Sequence, residues 1–402
     1  MRRLLLPVLA VAMAVTGWAH GAGADESTTT VLVHLAGPQG SGSLERVLGE
    51  MDDADALPEA VDAYDTFPWA AVEVDHDGLA VLERSASVLD VAPARTHTIA
   101  LDQAVPNVKA DQVTAAGFDG AGQAVAVLDT GVQTDHPFLA GRTVAEACFS
   151  HNATCPGNVT SSSAAGSGQP CTFSVAVAGS SCQHGTHVAG IALGKRPTGD
   201  PSAPSQGVAP GASLIAVQVF SGTSGGGATA RDDDILAGLD WVNQRALSLH
   251  VAAVNLSLGG DLVTGACDGF GSNNFYVSAF GALRLNGVAP VVAAGNNGSG
   301  SALTGPACIS NAISVSATRD STDHLASYSN TAAFSAAWSL SAPGDGVYSS
   351  IPGSTYGTKS GTSMATPVVA GAFAALKQAV PTATVAQLLT SLQSTGVPVT
   401  LR

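Results

Sequence analysis

The stretch Ala124-Val125-Ala126-Val127-Leu128 runs directly into Asp129-Thr130-Gly131. Five consecutive apolar residues leave no position for water. That reads as a strand buried on both faces, the mark of a parallel sheet covered by helices on each side. Similar runs recur at 214–219, 252–256, 291–294 and 313–317, alternating with helical stretches at 184–193, 234–247 and 274–285. The expected fold class is therefore α/β, a mostly parallel sheet with helices on both faces.

In such sheets ligands bind beyond the carboxyl ends of the strands, so the polar residues that end them carry the functional reading. Asp129 is one. A carboxylate at the end of a buried strand is costly unless it is hydrogen-bonded or paired. His184-Gly185-Thr186-His187-Val188-Ala189-Gly190 opens a helix, which sets His184 at the same rim. The two histidines lack the glutamate and the four-residue offset of a zinc protease, and no metal ligand set is assigned. Asn296 follows the strand end Ala294-Gly295 and offers an amide donor. Gly361-Thr362-Ser363-Met364-Ala365-Thr366-Pro367 leads into an apolar run over 368–376, which puts Ser363 at a helix N-terminus, where backbone N–H groups and the helix dipole favour developing negative charge. Taken singly, these residues read as a structural histidine, a turn asparagine and a helix cap. Together at one crevice they read as a nucleophile, a base and an orienting acid.

Composition fits an exported, well-packed protein. The 402 residues are 45% hydrophobic and 12% charged, which excludes a largely disordered chain. A net charge of −15 argues against nucleic acid as a partner. Residues 1–24 carry Arg2-Arg3, an apolar core and a small-residue end, the pattern of a signal peptide, and no later stretch reads as a membrane anchor. A secreted location, extracellular or periplasmic, is expected. The six cysteines agree with an oxidising compartment and allow fifteen pairings; proximity and block membership favour Cys148–Cys155, Cys171–Cys182 and Cys267–Cys308. Residues 25–102 read as a small α+β unit: strands at 31–35, 70–75 and 88–92, a helix at 44–51, and a helix at 78–87 opened by Asp77. The segment 96–122 reads as a polar linker or surface arm, and 148–182 as a cystine-bearing surface loop.

The stretches around Asp129, His184, Asn296 and Ser363, in that order along the chain, resemble the subtilisin-like serine proteases over residues 103–402. The chain order Asp, His, Ser is that family's own. The resemblance implies Ser363 as nucleophile, His184 as general base and then acid, Asp129 as the residue orienting the imidazole, and Asn296 with the Ser363 N–H as the oxyanion hole. It implies His187 as a structural residue, Ser257-Leu258-Gly259-Gly260 and Ala294-Gly295 as walls of the substrate cleft, and the arm 221–229 as an edge that pairs with extended polypeptide substrates. Residues 25–102 resemble an inhibitory prosegment, so self-processing and intramolecular inhibition are expected, in a monomer. No cofactor is needed for catalysis. Structural calcium is left open with unknown ligands, because Phe138 stands where many relatives have a calcium-binding aspartate. Counting back from Gly305-Pro306, the pocket floor is expected near Thr304, with no acidic residue to favour Lys or Arg. The acids Asp232, Asp233 and Asp234 read as helix caps. Other readings are a catalytically silent secreted peptide-binding protein and an exported esterase; the latter normally shows Gly-x-Ser-x-Gly, which Gly361–Ala365 lacks.

Overall fold

The computed structural model describes residues 28–37, 42–63, 69–93, 101–171, 181–222, 228–269, 274–319 and 322–400. The expected leader at 1–24 lies outside them. The chain divides into two units, Met1–His97 and Thr98–Arg402.

In the first unit, β1 (Thr29–Leu35), α1 (Ser43–Asp53), β2 (Ala60–Ala63), β3 (Trp69–Val74), α2 (His76–Leu82) and β4 (Val88–Pro93) follow in order. The strands form an antiparallel sheet, β2-β3-β1-β4. Val31, Val33, Ala70, Val72 and Val74 from the sheet meet Val47 and Met51 of α1 and Leu82 of α2 in one core. The helix expected at 78–87 starts earlier and ends sooner. Asp75, immediately after β3, accepts the Gly78 N–H at 2.8 Å and is the cap in place of Asp77.

The second unit begins with two short helices, α3 (Leu101–Asn107) and α4 (Ala110–Ala115), where the sequence suggested a polar arm. Ala104, Val105 and Ala110 are buried in the main core, and that burial outweighs the polar composition around them. There follow β5 (Ala124–Asp129), β6 (Thr143–Phe149), β7 (Ser161–Ser162), α5 (His184–Leu193), β8 (Ser213–Gln218), β9 (Phe220–Gly222), β10 (Ala228–Ala230), α6 (Asp232–Asn243), β11 (Val251–Leu256), β12 (Leu262–Val263) and α7 (Asn274–Leu285). The chain ends with β13 (Ala289–Ala293), β14 (Leu303–Thr304), β15 (Ile313–Arg319), β16 (Ser339–Asp345), β17 (Val347–Ile351), β18 (Thr355–Lys359), α8 (Thr362–Ala379) and α9 (Val385–Thr395).

The main sheet has the order β16-β15-β13-β11-β5-β8-β6-β7, parallel throughout except for β7. β5 shows why a continuous apolar run was required. Val125 and Val127 join the cluster under α5, α8 and α9, whereas Ala124, Ala126 and Leu128 face the cluster under α6 and α7. The expected cystine-bearing loop over 148–182 needs one correction, because Cys148 lies in β6, a sheet strand. The three favoured pairings all occur: Cys148–Cys155, Cys171–Cys182 and Cys267–Cys308.

Phe138 is fully buried, edge-on to Tyr356 at 5.7 Å between ring centroids. Gly194 passes so close that a Cβ there would meet the Phe138 ring at 1.8 Å. An apolar ring packed into a close-fitting backbone does not fit a calcium ligand sphere, which needs oxygen. Phe138→Ala should therefore leave a cavity and destabilise the unit by about 3–5 kcal/mol. A lower urea midpoint at unchanged m-value would register it; an unchanged midpoint would show the ring to be dispensable.

Candidate active site

Asp129 ends β5 with its side chain fully buried. Its Oδ1 accepts the Thr130 N–H at 2.7 Å, and both carboxylate oxygens lie within hydrogen-bond reach of His184 Nδ1, at 2.8 and 2.9 Å. An ionised carboxylate only accepts, so Nδ1 carries the proton and Nε2 is left as the basic atom. The His184 side chain is 24% exposed. The first residue of α5 reaches the strand end because Gly185 packs on Gly131, where a Cβ would lie 2.3 Å from the Gly131 carbonyl oxygen, and because the Gly185 N–H donates to Thr130 Oγ1 at 3.1 Å.

The neighbouring strand brings Ser363 to the same rim. Asn255 of β11 pairs with Val127 of β5, so two residues further on Ser257 and Asp129 leave the sheet side by side. Pro367 inside α8 has no N–H, which deprives the Ser363 carbonyl of its helical partner. Ser257 Oγ donates to that carbonyl at 2.8 Å, and Asn255 Nδ2 donates to Ser257 Oγ at 2.9 Å. The Ser363 hydroxyl donates to the Ser257 carbonyl at 3.3 Å. In this resting arrangement its hydrogen bond is to the strand end and not to His184; such bonds commonly tighten only when substrate is bound.

Asn296 is held by one end of its amide. Its Oδ1 accepts the Thr362 N–H at 2.8 Å and Thr362 Oγ1 at 3.0 Å, which turns Nδ2 away as the unspent donor beside the start of α8. Thr362 Oγ1 also receives the Gly295 N–H at 3.2 Å.

The two expected cleft walls meet at Thr304. A Cβ on Gly259 would lie 2.5 Å from Thr304 Oγ1, and one on Gly295, whose φ is +103°, would lie 2.6 Å from Thr304 Cγ2. The Thr304 N–H donates to the Ala294 carbonyl at 3.0 Å, and Gly260 N–H donates to the Gly305 carbonyl at 2.8 Å. Ala294 itself is fully buried, and Leu258 packs into the cluster under α6 and α7. Of the arm at 221–229, expected to pair with extended peptide, the antiparallel ends in β9 and β10 are described and 223–227 are not.

The acids that open α6 stand in its first turn, where the helix dipole favours them, but none makes a side-chain cap hydrogen bond. Asp232 accepts from the Tyr276 hydroxyl at 2.7 Å, Asp233 pairs with Arg231 at 3.0 Å, and buried Asp234 bonds His151 Nδ1 at 2.7 Å. Those side-chain partners outcompete the helix N–H groups. Sequence reasoning also missed Asn255, Thr362 and Asn330. Asn330 is buried and holds the loop after β13: its Oδ1 accepts the N–H groups of Asn297 and Ser299, each at 3.0 Å, while Nδ2 donates to the Ala294 carbonyl at 3.1 Å. A polar residue within the buried run 251–256 was the available signal for Asn255.

His187 is buried, and its Nε2 donates to the carbonyls of Val347 at 3.1 Å and Gly357 at 3.0 Å. Burial pushes its pKa down to about 3, so it stays neutral and ties the β17–β18 hairpin to α5. Burial lowers His136 as well. In the unfolded chain both protonate at ordinary histidine pH, so between about pH 6.5 and 3 the unfolded state binds more protons and stability falls as pH falls. His187→Gln should remove a slope approaching 1.4 kcal/mol per pH unit in the middle of that window. Chemical denaturation of both proteins from pH 7 to 4.5 measures it, and identical slopes would exclude His187 as a source.

A sequence profile described as the subtilase family matches residues 120–397. The alkaline protease of Alkalihalobacillus alcalophilus is 33% identical over 354 residues, covering 87% of this chain and 79% of that protein. Subtilisin Savinase of Lederbergia lenta is 36% identical over 293 residues, covering 73% of this chain and 90% of that protein. Among solved structures, the S41 psychrophilic protease superposes with a TM-score of 0.53 at 30% identity, over 68% of this chain and 83% of that one. A cold-adapted subtilisin-like serine proteinase gives 0.51 at 29% identity, over 69% and 83%.

Proposed function

The chain belongs to the subtilase family, whose members are serine endopeptidases, and on that premise we propose that it is a secreted, self-processing endopeptidase acting through Asp129, His184 and Ser363. The observation that carries the proposal is the fully buried carboxylate of Asp129 bonded to His184 Nδ1 at the rim where α8 begins. Ser363 Oγ attacks the carbonyl carbon of the scissile bond while His184 Nε2 takes its proton. Asn296 Nδ2 and the Ser363 N–H receive the oxyanion. His184 then protonates the leaving amine, and water repeats the sequence to release the acyl group. Asp129 remains ionised and stabilises the imidazolium throughout.

Residues 257–260 and 294–295 form the cleft walls in this reading, and extended polypeptides are the substrates. No described helix is long and apolar enough to cross a membrane. The segment from 25 to before Leu101 serves as the prosegment, short of the expected boundary at 102 because Leu101 opens α3 of the second unit, and the remainder as the catalytic part. A fluorophosphonate should label Ser363 in the mature enzyme and block hydrolysis of casein. Absence of labelling would leave a peptide-binding protein, and labelling with ester but no casein hydrolysis would leave an esterase.

Specificity follows from Thr304. With this neutral residue between the walls, apolar side chains before the scissile bond are favoured over Lys and Arg, which need a buried carboxylate partner. Thr304→Asp should raise kcat/KM for Lys and Arg substrates by about 10-fold or more, a difference of one well-placed charge contact. A peptide library read with both enzymes checks this, and a dominant Arg preference in the unsubstituted enzyme would overturn the assignment of the floor.

A further inference from the structure

We propose that the Cys171–Cys182 disulfide is a positioning element for the Asp129–His184 pair, a covalent link between the start of α5 and an insertion that is hydrogen-bonded along the loop after β5. The inference rests on the catalytic reading above and adds a role for an insertion that the reading does not use.

One end of the link lies against Asp129's own loop. The Cys171 N–H donates to the Thr130 carbonyl at 2.9 Å, and the Val132 N–H donates to the Gly168 carbonyl at 2.8 Å, so 168–171 runs alongside 130–132. The contact is backbone on backbone. Gly131 has φ +89°, and a Cβ there would lie 2.0 Å from the Gln169 carbonyl oxygen. The insertion is in turn fixed to the sheet, because Glu146 of β6 accepts the Gly166 N–H at 2.7 Å and Gln169 Nε2 at 3.4 Å.

The other end lies two residues before His184. Cys182 is bonded to Cys171, and Gln183, at the N-cap of α5, makes no side-chain cap. An uncapped helix start is free to fray by a turn unless something else holds it. The holding contacts include the Gly185 N–H to Thr130 Oγ1, the Gln133 N–H to Thr186 Oγ1 at 2.9 Å, the Ser350 hydroxyl to the Thr186 carbonyl at 2.9 Å, and the disulfide. Thr130 is the common point, giving its carbonyl to Cys171 and its hydroxyl to Gly185. Asp129, Thr130, Cys171, Cys182 and His184 thus make a closed ring in which the disulfide is the one covalent member outside the backbone. Removing it leaves the turn before His184 to be held only by non-covalent contacts, those at Gly185, Thr186 and His187 and the bond to the carboxylate itself.

The link acts on alignment of the base, which matters in the transition state and not in binding peptide. Cys171→Ser/Cys182→Ser should therefore lower kcat by about 10- to 100-fold with KM within about twofold, below the unfolding temperature. The downfield NMR resonance of the His184 Nδ1 proton should broaden or vanish in the same variant. Cys148→Ser/Cys155→Ser, a cross-link with no partner on 129–133 or 182–186, should keep both kcat and the resonance. Should the first variant fail to fold, two glycines inserted between Cys182 and Gln183 retain the disulfide but slacken it; the same loss of kcat is expected with the melting temperature near that of the parent. Full kcat in either folded variant, with the resonance intact, overturns the proposal. The parent enzyme and Ser363→Ala are run beside them: an active parent with an inactive Ser363→Ala means that only the tether has failed, whereas an inactive parent overturns the catalytic reading and the tether together.

Discussion

Asp129→Asn is expected to leave the fold intact and to lower kcat by about 10,000-fold, the size of the equivalent effect in a serine protease of unrelated fold. The substitution conserves shape, so the buried end of β5 should pack as before. Its effect lies in which atoms can donate. Oδ1 of Asp129 accepts the Thr130 N–H at 2.7 Å, which in the variant holds the amide oxygen in that position. The amide nitrogen then replaces Oδ2, which lies 2.9 Å from His184 Nδ1. The oxygen at the Oδ1 position still lies 2.8 Å from Nδ1, but the amide N–H₂ now beside it repels an Nδ1 proton and favours the tautomer with the proton on Nε2 and Nδ1 as acceptor. The base is then blocked at the atom that would receive the Ser363 proton. Stopped kinetics on the purified variant, with circular dichroism to verify folding, give the measurement. Turnover within tenfold of the parent would remove Asp129 from the mechanism.

The same carboxylate shows why part of this molecule was legible before its structure. Asp129 stands where a buried apolar run ends and His184 where one begins, and burial of the residues beside them in those elements forces such a polar residue to find a partner. The main parallel strands were readable for the same reason. β6 was not: its burial alternates irregularly, and its Glu146 is engaged with the insertion, so no period marks it as a strand. β16 contains Pro343 and Gly344, which argue against a strand in the middle of a sheet; it lies at the sheet's edge, where a missing N–H is tolerated. α3 and α4, with seven and six residues, are too short to display a helical period, and α3 carries Pro106. Side-chain networks were the least legible of all. Nothing in the run Asp232-Asp233-Asp234 says that three adjacent acids take three separate partners, a tyrosine, an arginine and a histidine. The arginine is Arg231, at the helix's own N-cap, but the tyrosine and the histidine come from distant parts of the chain. Asn330 belongs to the same class, because its bonds to the loop after β13 arise only once β15 has brought 330 beside 294–299.

Ser363→Ala is expected to abolish turnover, by about a million-fold as for the corresponding serine in a relative of this family, and to leave the chain uncut between its two units. Self-processing is the more demanding consequence, because it requires the nucleophile to act on its own polypeptide. A scissile bond tethered by a short linker is presented at an effective concentration in the millimolar range, so even a poor site is cleaved. The last strand expected in the first unit ends at 92 and the catalytic part is expected from 103, which confines the cut to about Thr96–Val105, and the fold narrows that window. Ala104 and Val105 are 1% exposed within α3 and belong to the main core, so a bond there is out of reach of any extended-strand cleft. The cut should therefore precede Leu101. Expressed in a host without secreted proteases, the parent should lose roughly its first hundred residues by intact mass, whereas Ser363→Ala should lose only the leader. If the variant is cut at the same bond with no other protease present, cleavage does not depend on Ser363, and its role as nucleophile fails with the intramolecular route. If the variant stays whole and added mature enzyme then cuts it before Leu101, both the site and its agent are fixed by the same pair of spectra.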